Sequence, residues 1–313
     1  MINLSVIIAV YNEEENIKPL ITSINTALIN SGLEYEVIFV DDGSSDNTIK
    51  KIMENIDGNI TLIELKRNFG QTAAMKAGID LAGGEYIATL DGDLQNDPED
   101  LLMMLDLLRK NDIDIVTGIR AERQDDFFLR KIPSVVANFI VRKVTHTNIK
   151  DNGCGIKVFK SPVLKELPLY GERHRFLASL AAMDGATVAQ VEVKHHPRVH
   201  GRSKYGVGRT MKVISDLMLM SFLRKYSQKP MYLFGTIGII TILAGSVILL
   251  WLLIQKIMGQ DIWGRPVMIL GVLLMFIGFQ IISTGLILDL VIRNDYESNS
   301  AKPYKIKRIS RAE

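Results

Sequence analysis

Carboxylates gather where apolar runs of this chain end. Asp91-Gly92-Asp93 follows the run Tyr86 to Leu90 directly, which throws two carboxylates into a sharp turn whose glycine lets a ligand approach closely. Two hard oxygen donors suit Mg²⁺ or Mn²⁺. Magnesium takes only one or two protein carboxylates and completes its octahedron with water and phosphate oxygens, as a nucleoside diphosphate provides. Gln95 can add a further oxygen. An ordinary Asp-Gly turn is the plain alternative. Asp41-Asp42-Gly43 likewise closes an apolar run and leads into Ser44-Ser45-Asp46, a helix-cap sequence. Asp41 can also accept the imide hydrogen of a uracil. Tyr11-Asn12-Glu13 closes a third run.

The elements that position these groups follow from periodicity. β-branched runs at Leu4 to Val10, Tyr35 to Val40, Ile60 to Leu65, Tyr86 to Leu90 and Ile113 to Thr117 read as strands. Helical patterns occupy Glu14 to Asn30, Thr48 to Ile56, Thr72 to Leu81 and Pro98 to Lys110, with Asp97-Pro98 as the start of the last. Such alternation predicts an α/β domain with a mostly parallel sheet covered by helices. Ligands of such sheets bind at the carboxyl ends of strands, which is where the three polar clusters fall.

The C-terminal part differs in kind. Met231 to Ile254 and Pro266 to Leu288 are uncharged apolar runs, and about 20 apolar residues suffice to span a hydrocarbon core. They predict a transmembrane hairpin at 229–292, with spans 231–254 and 266–290, between a catalytic domain at 1–228 and a basic tail at 293–313. Arg224, Lys225 and Lys229 precede the first span, and Arg293, Lys302, Lys305, Lys307, Arg308 and Arg311 follow the second. The intervening loop carries only Lys256 and Arg265, so both termini and the catalytic domain are expected on the cytoplasmic side of an inner membrane. A mean hydropathy of +0.15 averages a globular part with a lipid-facing one. The net charge of +2 comes largely from juxtamembrane and tail residues, which suits lipid headgroups. No basic, aromatic-interleaved patch points to nucleic acid. Cys154 is the single cysteine, which excludes an internal disulfide framework.

Val6-Ile7-Ile8-Ala9-Val10-Tyr11-Asn12-Glu13, Val40-Asp41-Asp42-Gly43-Ser44-Ser45-Asp46 and Asp91-Gly92-Asp93-Leu94-Gln95 occur in that order at a familiar spacing. Arg67-Asn68-Phe69-Gly70-Gln71, Asp151-Asn152-Gly153-Cys154-Gly155 and Gly201-Arg202-Ser203-Lys204-Tyr205-Gly206 accompany them. Along its whole length the chain resembles family 2 glycosyltransferases. More narrowly it resembles the polyisoprenyl-phosphate glycosyltransferases, relatives of dolichyl-phosphate mannose synthase, including bacterial undecaprenyl-phosphate glucosyltransferases with two C-terminal spans. The resemblance implies a GT-A fold in which Ala9, Tyr11, Glu13 and Asp41 hold the nucleoside. It assigns Asp91, Gly92 and Asp93 to the diphosphate, with Asp91, Asp93 and Gln95 as ligands of Mg²⁺ or Mn²⁺. Arg202 and Lys204 close over the phosphates, and Arg123, Arg130 and Lys131 meet the acceptor phosphate. Asp151 lies near the reacting sugar, as a base or a positioning group, with Asp93 as the other catalytic carboxylate.

The reaction implied is inverting transfer of a hexose from a nucleotide sugar to undecaprenyl phosphate. UDP-glucose is the first expectation; GDP-mannose, UDP-N-acetylglucosamine and an amino-arabinose nucleotide are the alternatives. Amphipathic segments at 133–146 and 211–226 are expected at the membrane interface. A processive polysaccharide synthase would carry Gln-x-x-Arg-Trp, which Trp251 and Trp263 do not provide. A non-catalytic membrane scaffold is disfavoured by the intact acidic and basic motifs. His195, His196 and His200 lack matching Cys or carboxylate spacing for zinc. Gln280 and Asp289 read as helix contacts or interfacial anchors. Gly235, Gly238, Gly245, Gly271, Gly278 and Gly285 suggest close helix packing between protomers, and so a homo-oligomer.

Overall fold

The computed structural model describes residues 2–56, 58–120, 147–169, 171, 173–197, 222, 226 and 229–298. The chain divides into two compact units, Met1–Met218 and Leu219–Glu313.

The first unit is built on strands β1 (Leu4–Val10), β2 (Tyr35–Asp41), β3 (Ile60–Glu64), β4 (Tyr86–Asp91), β5 (Ile115–Arg120), β6 (Lys157–Lys160) and β7 (Val188–Val193). They form one sheet in the order β3-β2-β1-β4-β6-β5-β7. β6 runs antiparallel to β4 and β5, and every other pairing is parallel. Helices α1 (Glu14–Leu28), α2 (Thr48–Met53), α3 (Gln71–Leu81) and α4 (Asp100–Lys110) connect the first five strands. α5 (Ser161–Lys165) and α6 (Leu177–Met183) lie between β6 and β7.

Both faces of the central strands are covered, so β1 is apolar apart from Ser5 and its residues are almost all buried. α1 buries Ile17, Leu20, Ile21, Ile24 and Leu28, the spacing of a single helical stripe. With Leu101, Met104, Leu105 and Leu108 of α4, these side chains pack on Val6, Ile8, Val37 and Phe39. α4 starts at Asp100, two residues later than Asp97-Pro98 suggests, because the Asp97 carboxylate takes the Glu99 N–H and keeps the preceding residues in a turn.

Chain direction places the site. β1 leads outward to β2 and β3, and β4 returns to the other flank of β1, which makes the gap between β1 and β4 the switch point of the sheet. Register pairs Ala9 with Asp91 across that gap and Val10 with Asp41 on the other side. The three predicted polar clusters therefore leave the sheet at one level.

The second unit contains α7 (Pro230–Ile257) and α8 (Pro266–Ser298). Both are long and apolar enough to cross a membrane, and only 17% and 11% of the residues in their most apolar windows are buried. That exposure separates them from core helices of a soluble domain. Several of the glycines expected to allow close helix packing lie where α7 and α8 meet within the chain. A Cβ on Gly238 would lie 2.8 Å from the Gly278 carbonyl, and one on Gly245 would lie 2.8 Å from that of Gly271. Lys229 lies over the Tyr232 ring at 5.7 Å, and Lys256 over Trp263 at 5.9 Å, at opposite ends of α7. α8 continues past the apolar run to Ser298, into residues expected to begin the tail.

Candidate active site

The loops after β1 and β2 are tied together by reciprocal bonds. Asn12, with φ at 51°, donates its N–H to Ser44 Oγ (2.9 Å), and its own Oδ1 accepts from Ser45 N (2.8 Å). Glu13 N donates to Thr48 Oγ1 (2.9 Å), and Glu14 N to Asp46 Oδ2 (3.2 Å). The other oxygen of Asp46 accepts from Thr48 N and Oγ1, so Asp46 ties both loops, while the N-cap position of α2 expected in the Ser44-Ser45-Asp46 run falls to Asn47, which makes no side-chain cap bond. Burial pushes Asp46 up, yet the donors from Thr48 and Glu14 outweigh it and hold the carboxyl below the usual range. The Glu13 side chain accepts from Asn16 Nδ2 at 2.6 Å. Ala9 is only partly covered, at the open end of β1.

Asp41 is wholly buried. Its Oδ2 accepts from Gly43 N (3.0 Å) and Ser44 N (2.9 Å), whereas Oδ1 meets no hydrogen-bond donor among the described residues. A buried carboxylate oxygen without a donor from the fold has the capacity to accept a hydrogen bond from a bound molecule. Asp42 has a different task, which the sequence did not disclose. Its two oxygens accept from Phe69 N (2.7 Å) and Gly70 N (2.9 Å), fixing the 67–70 loop and the start of α3. Gly43, at φ 75°, lies so close that a Cβ would sit 2.6 Å from the Arg67 carbonyl carbon.

From that loop Gln71 Nε2 reaches Asp91 Oδ1 at 3.4 Å. The next residue, Thr72, shares a 2.8 Å bond with His174 Nδ1 of the 3-10 turn Arg173–Phe176, a buried contact unsuspected from sequence. Gly155 passes directly beneath Asp91, where any Cβ would collide with the carboxylate. Thr89 Oγ1 donates to the Gly155 carbonyl at 2.8 Å and fixes that approach. Past Asp91 the backbone turns through Leu94, at φ 61°, and Asp93 Oδ1 accepts from Gln95 N at 3.3 Å.

Asp151 is buried and gripped from two sides by Arg120 at the end of β5, Nε to Oδ2 at 2.7 Å and Nη2 to Oδ1 at 2.8 Å. Gly153 N adds a 3.2 Å bond to Oδ1. Burial lowers the pKa of Arg120, but Asp151 more than offsets this and leaves it raised. Arg120 was not singled out in the sequence, since an isolated arginine at a strand end looks like surface charge. Cys154 is buried and its thiol is pushed up to about 11 by burial, so it serves packing.

Segment 194–196, beyond β7, is pinned to the chain just after the Asp91 turn. Asn96 and His195 form a β-bridge, and His196 N donates to the Gln95 carbonyl at 2.9 Å. Lys194 pairs with Asp97 at 3.3 Å and Glu99 at 2.8 Å. His195 and His196 thus join strand-end segments, and no three His, Cys, Asp or Glu side chains converge on a cation position among the described residues.

The donor set after β4 nevertheless suits a hard divalent ion. Asp91, Asp93 and Gln95 offer only oxygen ligands, and the long bond from Gln71 leaves Asp91 lightly engaged. An incomplete protein shell is what a cation that shares its sphere with phosphates requires. The structure brings Ala9, Tyr11, Glu13, Asp41, Asp91, Gly92, Asp93 and Gln95 to one end of the sheet, and pairs Asp151 with Arg120 at the end of β5. Arg123, Arg130, Lys131, Arg202, Lys204, the segment 133–146 and most of 211–226 lie outside the described residues.

Solved structures share this fold. A mannosyltransferase from Pyrobaculum calidifontis, solved with GDP-Man and Mn²⁺, superposes with a TM-score of 0.52 at 21% identity, covering 71% of this chain and 63% of that one. Glucosyl-3-phosphoglycerate synthase from Mycobacterium tuberculosis, solved with Mn²⁺, UDP and phosphoglyceric acid, gives 0.56 at 17% identity, covering 71% and 78%. These likenesses show the GT-A fold. Dodecaprenyl-phosphate galacturonate synthase of Rhizobium johnstonii is 38% identical over 98% of this chain and 93% of its own length. Undecaprenyl-phosphate 4-deoxy-4-formamido-L-arabinose transferase of Proteus mirabilis is 32% identical over 97% and 93%. The profile described as Glycosyl transferase family 2 matches residues 5–168, from the first strand through the Asp151 motif, so the chain belongs to glycosyl transferase family 2 and is a glycosyltransferase.

Proposed function

We propose that this enzyme transfers a uronic acid or a 4-amino-4-deoxy-arabinose-type sugar from a uridine nucleotide to a polyisoprenyl phosphate at the cytoplasmic face of the inner membrane. The observation that carries the reading is full-length similarity, at 38% and 32% identity, to relatives named for galacturonate and 4-deoxy-4-formamido-L-arabinose transfer to polyprenyl phosphates. Glucose, the first expectation from sequence, gives way on the same finding, and the amino-arabinose alternative moves forward. The unfilled acceptor Oδ1 of Asp41 supports a uracil base, whose imide N–H is a donor.

The acceptor phosphate is already an anionic nucleophile at neutral pH, so strong base catalysis is unnecessary. Asp151 then acts best by holding Arg120 and the end of β5 in place. When bound to Asp91, Asp93 and Gln95, Mg²⁺ or Mn²⁺ supplies charge neutralisation for the departing nucleoside diphosphate. Arg202 and Lys204 are proposed to add to it, and Arg123, Arg130 and Lys131 to take the acceptor phosphate. Direct attack at the anomeric carbon inverts configuration. α7 and α8, read as membrane spans with both chain ends cytoplasmic, keep the enzyme on the surface where the lipid phosphate is found.

The test is a panel of labelled UDP-galacturonate, UDP-4-deoxy-4-formamido-L-arabinose, UDP-glucose and GDP-mannose, offered with undecaprenyl phosphate and Mg²⁺. Label should enter the lipid phase from one of the first two. Transfer from UDP-glucose alone would reject the donor assignment, and absence of lipid product from every donor would reject the reaction.

A further inference from the structure

Lys157 is a buried lysine that the transfer chemistry leaves unused. It opens β6 in the middle of the sheet, in register with Thr89 of β4 on one side and Thr117 of β5 on the other, and it is 3% exposed. Its ammonium donates to the Cys154 carbonyl. The collision that a Cβ on Gly155 would make shows the Asp91 carboxylate lying over that residue. Lys157 stands opposite Thr89 of β4, and Asp91 lies two residues beyond Thr89 on the same strand face, which makes Lys157 and Asp91 diagonal neighbours across the two strands, roughly 7 Å apart. Burial pulls the lysine pKa down, against the opposing pull of Cys154, Asp91 and Asp151. A charge this deep persists only beside compensating charge, and the two carboxylates supply it. With Cys154 held as the neutral thiol, the cluster consists of Asp91, Asp151, Arg120 and Lys157, two negative and two positive.

We infer that Lys157 is a positioning residue that serves as an internal counter-cation to Asp91, making the site a poor binder of a free divalent ion and a good binder of one arriving on a nucleoside diphosphate. The reason is charge balance. With Asp91 and Asp151 balanced by Lys157 and Arg120, a lone divalent ion is left with the attraction of Asp93 alone, set against the repulsion of the buried ammonium. A diphosphate brings its own negative charge and cancels that repulsion. Metal and nucleotide therefore enter together. The inference rests on the metal reading of Asp91, and the experiment separates the two.

Mn²⁺ binding to the purified full-length chain is measured calorimetrically, with and without UDP. Wild type should bind Mn²⁺ weakly alone and tightly with UDP. Lys157→Met and Lys157→Gln should tighten binding of Mn²⁺ alone by about tenfold or more and shrink the effect of UDP, whereas Lys157→Arg should resemble wild type. Asp151→Asn, which removes an anion that is not a proposed metal ligand, should weaken Mn²⁺ binding, and it decides the matter if neither neutral lysine variant folds. Unchanged Mn²⁺ affinity in the folded neutral variants overturns the role of Lys157 and leaves the metal site standing. No Mn²⁺ binding by wild type, even with UDP, overturns the metal site and this inference with it.

Discussion

Gly155 lies against Asp91 so closely that a Cβ on the glycine would occupy the space of the carboxylate. Backbone from the middle of the chain thus sets where the first aspartate of the Asp91-Gly92-Asp93 turn can point. Gly155→Ala should displace Asp91 while leaving the sheet intact. A displacement near 1 Å at reacting groups lowers turnover by about a hundredfold. Activity within a few-fold of wild type, with an unchanged circular dichroism spectrum, would show that the close approach is dispensable.

Sequence reading reached the strand ends and missed what lies beneath them. β1, β2 and β4 announce themselves as apolar runs, and their ends lie level because the register aligns Ala9 with Asp91 and Val10 with Asp41. β6 stayed hidden for a physical reason. It is short, and Lys157 and Lys160 bracket its two apolar residues, so the pattern looks solvated although Lys157 is buried. Asp42 was hidden differently. Adjacent aspartates look equivalent on paper, yet only the fold shows that one is spent on backbone N–H groups of the 67–70 loop while its neighbour keeps an open oxygen.

That open oxygen gives a prediction about the base. In Asp41→Asn the amide oxygen can keep the bonds from Gly43 N and Ser44 N, which turns the amide NH₂ toward the position Oδ1 now holds. A donor would then face the imide donor of uracil. An unmatched buried donor costs about 1–3 kcal/mol, so UDP affinity should fall roughly 5- to 150-fold with little loss of thermal stability. Equal UDP binding by variant and wild type would remove Asp41 from base recognition.

Asp46 predicts a pH dependence. Its carboxyl is held below the ordinary range in the folded chain, because donors from Thr48 and Glu14 outweigh the effect of burial. The unfolded value is about 3.9. A depressed folded pKa contributes stability that is fully present above the unfolded value and is lost as pH falls through the folded one. The melting temperature of wild type should therefore exceed that of Asp46→Asn at pH 5 to 7, and the gap should close below about pH 4. A gap that stays constant or widens in acid contradicts the assignment.

Arg120 and Asp151 bear on how the acceptor is activated. Both oxygens of Asp151 are engaged by Arg120 at 2.7 and 2.8 Å, which suits a structural anchor better than a group that must accept a proton. A true general base contributes about 10²- to 10⁴-fold. Asp151→Asn retains oxygen and shape, so it should lower kcat by about tenfold or less and leave the acidic limb of the pH–rate profile where wild type has it. Asp93→Asn, which removes a charge from the turn proposed to hold the metal, should lose far more under the same conditions. If instead Asp151→Asn abolished turnover and flattened that limb, proton removal by Asp151 would have to be restored to the mechanism. The lipid phosphate would then need help that its own charge was expected to make unnecessary.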